Sequence, residues 1–84
     1  MNVLTSKEYQ TETDSLINEP AIIKMYETLR EGIEQGFKPN FDDFTLMQQA
    51  NAEYFRQTGK AGKFIGSVIF ALKRLYDNDS TIAK

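Results

Sequence analysis

The stretch GKFIGSVIFALKRLY, residues 62–76, holds most of the side chains here that could do chemistry on a partner. It carries Lys63, Lys73 and Arg74 and no acid. On a helix at about 100° per residue, Phe64, Ile65, Val68, Ile69, Ala71, Leu72, Leu75 and Tyr76 share one wide apolar arc. Lys63, Gly66, Ser67, Phe70, Lys73 and Arg74 share the other. A Phe ringed by cations and small residues has the makings of a contact surface. Aromatic and Arg side chains anchor interfaces, and small neighbours let a partner come close. Lys63, Ser67, Phe70, Lys73 and Arg74 are therefore the candidate partner-binding residues, with Phe70 as anchor. Two other readings stay open. The last helix is the centre of the bundle and Phe70 a second core contact, or the cations touch phosphates or an anionic membrane surface.

Other groups offer less. TGKAGK, residues 58–63, lacks the spacing of a phosphate loop, no strand precedes it, and Phe64 stands where a hydroxyl residue is needed. Asp42 and Asp43 suit the first turn of a helix, where the macrodipole favours acids. Glu27, Glu31 and Glu34 read as a solvated helix face. The chain has no His and no Cys, so no imidazole base, thiolate nucleophile or disulfide is available. No metal site and no cofactor are expected, and the chain is not expected to be an enzyme. Its longest apolar run, Val68 to Leu72, is far short of the roughly 20 residues that span a bilayer. No basic segment followed by an apolar run opens the chain, so no secretory signal is expected and a cytoplasmic location is the default.

The elements that must position these residues follow from caps and periodicity. The spacing predicts an all-α domain over 1–84, a compact bundle of four short helices. They cover about 6–17, 20–35, 41–58 and 61–76, with a loose C-terminal tail at 77–84. Thr5 and Glu8 fit a capping box, with Leu4 and Tyr9 as its staple. Pro20 suits a first helical turn, with Asn18 or Glu19 before it as cap. Ile22, Met25, Tyr26, Leu29 and Ile33 make one stripe at i, i+3, i+4, i+7 and i+11. Gly36 is the expected left-handed stop, with Phe37 folding back. Asn40 is the expected cap of the third helix, whose apolar face reads Phe44, Met47, Ala50, Tyr54 and Phe55. Asn51 falls within that face as a buried polar residue that either bonds a neighbouring loop or helix end or has a specificity role, fixing register or contacting a ligand. Gly59 ends this helix.

The net charge of −2 hides an asymmetry. Residues 1–58 carry five Lys and Arg against ten acids, a net −5, and residues 59–84 carry a net +3. Such a split points to a nucleic-acid, membrane or acidic partner, or to helices of opposite sign attracting one another within one bundle. The expected function is that of a small non-enzymatic regulator or inhibitor, of the kind bacteria and their phages encode. It would act by protein–protein binding through the basic, Phe70-centred face, on another protein or on a second copy. The alternative is a helix-turn-helix-like DNA-binding protein using helices 3 and 4, although such domains are usually much more basic.

Overall fold

The computed structural model describes residues 7–82, apart from the side chain of Tyr9. The protein is all-α: α1 spans Lys7–Leu16, α2 Pro20–Glu34, α3 Phe44–Thr58 and α4 Ser67–Asp77. The capping box at Thr5 and the staple of Leu4 with Tyr9 lie outside the described residues.

Local chemistry fixes where each helix begins and ends. Pro20 occupies the start of α2 and Glu19 its cap position, with extended backbone and no side-chain capping bond. The Glu19 carboxylate is used elsewhere: it accepts from Tyr54 Oη at 2.8 Å and from Lys60 Nζ at 3.3 Å. At the other end of α2, Phe37 N–H donates to Gly32 O and Gly36 N–H to Ile33 O. This is the Schellman pairing, and Gly36 at φ +108° supplies the conformation that a side chain would resist. Gly59, at φ +71°, closes α3 in the same region.

The start of α3 differs from the sequence expectation. Asp43, not Asn40, is the cap: its Oδ1 accepts from Thr45 N–H at 2.8 Å and from Leu46 N–H at 3.4 Å. Asn40 instead builds the turn before the helix, taking Asp42 N–H on its side chain and Asp43 N–H on its carbonyl. That turn sends Phe41 into the core, with its ring 5.3 Å from that of Tyr76. A helix running from residue 41 has no such turn to send Phe41 inward.

The start of α4 is also later than expected, at Ser67 instead of residue 61. Two glycines, Gly62 and Gly66, weaken a helix here. The amides that would open it are diverted. Lys63 N–H donates to Glu12 Oε1, and Phe64 N–H donates to Ser67 Oγ at 2.9 Å. Ser67 N–H returns a bond to Phe64 O, closing a turn before the helix. Gly62 lies so near this turn that an added Cβ would sit 2.9 Å from Ser67 Cβ.

The expected loose tail is a further correction over residues 77–82. Asp77 belongs to α4, Asp79 bonds Tyr26 on α2, and Ile82 is 9 % exposed within the core. Asp79 Oδ1 accepts from both the amide and the hydroxyl of Thr81. This local turn, of the kind Asp favours, aims Ile82 back at the bundle.

The core joins Leu16 of α1, Ile22, Met25 and Tyr26 of α2, and Ala50 and Tyr54 of α3 to Val68, Ile69, Ala71 and Leu72 of α4. α4 packs against all three other helices, whereas α2 and α3 meet each other more lightly. A helix enclosed this way must be apolar over most of its circumference, which accounts for the composition of residues 67–76. Val68 and Ile69 are almost wholly buried, and each contributes roughly 1.5–3 kcal/mol relative to an exposed position.

Candidate protein-interaction surface

The cations of the Phe70 face lie against carboxylates of the same chain. Arg74 Nη1 reaches Asp14 Oδ1 at 2.6 Å and Lys63 Nζ reaches Glu8 Oε2 at 3.5 Å, both acids being on α1. Lys73 Nζ pairs with Asp77 Oδ2 at 2.7 Å, one turn along α4. The acidic first helix thus covers basic groups of the last segment, and the charge asymmetry of the sequence is spent, in this part, inside the bundle. Each of these pairs is partly exposed, and such pairs typically contribute about 0.2–1 kcal/mol.

The five residues do not form one open patch. Ser67 is 1 % exposed, with its hydroxyl bonded to the Phe64 amide. Lys63 lies in the loop before α4, over the ring of Phe64 at 5.7 Å, and not on the helix. Phe70 is half-buried and packs against the core cluster, the second-core-contact arrangement weighed above. Lys73 and Arg74 remain at the edge of α4.

A different apolar face stays open. Phe44 and Phe55, expected in the α3 core face, are 54 % and 58 % exposed. Only the stripe through Ala50 and Tyr54 is buried on α3, and Phe55 follows Tyr54 by about 100° around the helix. Phe44, Gln48, Asn51 and Phe55 recur at i, i+4, i+7 and i+11, so they share one side of α3. No charged residue stands on that stripe. Ile65, 61 % exposed, joins this side from the following loop.

Asn51 makes that junction. Half-buried, it donates from Nδ2 to Ile65 O at 2.9 Å, while its Oδ1 is enclosed with no hydrogen-bond partner among the described residues. The bond ties the loop to α3 one turn from Phe55. Glu12 resembles it: Oε1 takes the Lys63 amide and Oε2 is enclosed without a partner among the described residues.

Two polar knots brace the frame. In one, Glu19 accepts from Tyr54 and Lys60; burial and then this bond raise the Tyr54 phenol, and the same carboxylate raises Lys60. In the other, Tyr26 and Arg30 of α2 meet Asp79. Bonds from the Thr81 hydroxyl, the Tyr26 hydroxyl and the Thr81 amide, with Arg30 nearby, hold the Asp79 carboxyl down at about 2. Sequence reasoning missed Glu12, Glu19, Tyr26, Tyr54 and Asp79 as polar partners, because their bonds join positions 35 to 53 residues apart.

Among the described residues no cluster of three or more acids could hold a metal ion, and no helix is long and apolar enough to cross a membrane. Comparison with protein-family models, with curated proteins and with solved structures finds no match to this chain.

Proposed function

We propose that this is a non-enzymatic regulatory or inhibitory protein that works by docking on another protein. Its contact is the outer side of α3 together with Ile65. The observation that carries this reading is the set of three large apolar side chains, Phe44, Phe55 and Ile65, each more than half exposed beside an uncharged stripe. Aromatic anchors flanked by small or neutral polar neighbours are what interface centres use. The partner's matching surface is accordingly apolar and uncharged. A reading centred on Phe70 has less in its favour, since its cations already face carboxylates. A DNA-binding reading has less in its favour for the same reason, since Lys63 and Arg74 are paired with carboxylates of α1.

The test is a Phe55→Ser, Ile65→Ser variant, compared with a Lys63→Gln, Arg74→Gln variant. Photo-crosslinking from position 55 in living cells identifies the bound protein, and the purified pair is then titrated at 50 and 200 mM salt. Expected are loss of binding in the first variant only and little change with salt, because no charge is neutralised at the contact. Binding that survives the first variant, or that falls steeply with salt, rejects this surface. A dimer abolished by Phe55→Ser would identify the partner as a second copy of the chain.

A further inference from the structure

The opposite side of α3 frames a second feature. Where α2 and α3 diverge above α4, a cleft of about 410 Å³ opens. Its floor is Met25, Ala50, Ile69 and Leu72, all buried members of the core. Its mouth is edged by Thr28 on α2 and by Gln49, Glu53 and Gln57 on α3. Glu53 is the one charged residue among those lining it, and its carboxylate is committed. Oε1 accepts from Arg56 Nε at 3.0 Å, and Oε2 from Arg56 Nη2 and from Gln57 Nε2 at 2.6 Å.

We propose that this cleft is a binding site for a neutral, predominantly hydrocarbon small molecule. The volume lies within the 300–1,000 Å³ typical of ligand pockets. At the density of protein interiors it holds on the order of 15 non-hydrogen atoms. The apolar floor offers a polar group no hydrogen-bonding partner, so a hydrocarbon guest suits it better. A charged ligand would lose hydration against the floor and find the single carboxylate already satisfied. The wall on α2 is one turn, Met25 to Leu29, too short to clamp an added helix along its length, so the occupant is compact. The Gln49 amide at the mouth suits a ligand with a single hydrogen-bonding end.

The probe is N-phenyl-1-naphthylamine, neutral and of the right size, titrated into the full chain while its fluorescence and the protein's methyl NMR spectrum are followed. The expected result is saturable one-to-one binding, with shifts concentrated on the methyl groups of Met25, Ile69 and Leu72. Thr28→Trp and Gln49→Trp, at exposed positions on opposite walls, each fill the mouth and weaken binding at least tenfold. Phe55→Ser, on the far side of α3, leaves it unchanged. The proposal is overturned by binding that does not saturate, by shifts centred elsewhere, or by equal affinity in both tryptophan variants with their spectra otherwise intact. Because the Phe55→Ser variant tests the α3 outer face separately, either site can fail without the other.

Discussion

The Tyr26 hydroxyl donates to Asp79 Oδ2 across 2.6 Å, joining the middle of α2 to the turn after α4 over 53 residues of chain. Arg30, one turn further along α2, lies 3.7 Å from the same oxygen. The pair turns a stretch that reads as a tail into part of the frame.

The pH dependence follows from Asp79. Its folded carboxyl titrates at about 2, below the ordinary 3.8. A group depressed in this way adds stability that is complete above the ordinary value and is lost as pH falls through the folded one. The window is therefore about pH 4 to 2. In thermal unfolding across that range, Asp79→Asn should start lower at neutral pH and lose less on acidification than the wild type. Parallel curves for the two proteins would show that Asp79 is not a source of acid sensitivity.

Phe70→Ala should remain folded and cost about 2 kcal/mol, less than the roughly 3–5 kcal/mol of a fully buried Phe, because the ring is only half-buried against the core. Arg74→Ala, which removes an exposed pair with Asp14, should cost less than about 1 kcal/mol. Urea denaturation separates the two. A loss below 0.5 kcal/mol for Phe70→Ala would mean that the ring does not pack as described.

Gly62→Ala should destabilise the bundle by roughly 1–3 kcal/mol. Its new methyl would lie 2.9 Å from Ser67 Cβ and 3.4 Å from Glu12 Oε1, at the point where the loop turns into α4. Amide hydrogen exchange should localise the damage, with Lys63 and Phe64 losing protection before the middle of α4. Wild-type protection at both amides would refute the crowding.

The α3 cap discriminates between two neighbouring side chains. Asp43→Ala should cost about 1 kcal/mol, since it removes the acceptor of two helix amides. Asn40→Ala removes one bond in a turn and should cost less. A larger effect at Asn40 in chemical denaturation would restore the sequence-based assignment of the cap.

The helical architecture was legible because its signals are local. Pro20, Gly36 and Gly59 act through the backbone within a turn of where they stand, and the Ile22–Met25–Tyr26 stripe reads directly as a buried face. The faces of α3 and α4 were less legible, because periodicity gives an arc and not which part of it a neighbour covers. Phe55 and Ile65 sat in predicted core arcs and are exposed; Ser67 sat opposite such an arc and is buried. The charge split of −5 and +3 hinted at attraction between ends of the chain, but the pairs Asp14–Arg74 and Glu8–Lys63 needed three dimensions to be drawn. The cleft left no trace in the sequence, since Met25, Ala50 and Ile69 look like any core residues until their helices diverge.

The place of α4 as common neighbour of the other helices also bears on synthesis. A domain folds as a unit, and its N-terminal part is made before the rest. Until α4 emerges from the ribosome, α1, α2 and α3 lack their common neighbour and keep only the lighter contact between α2 and α3. Their apolar stripes would face solvent until Val68, Ile69, Ala71 and Leu72 follow. The three preceding helices gain their common neighbour only once α4 has been made.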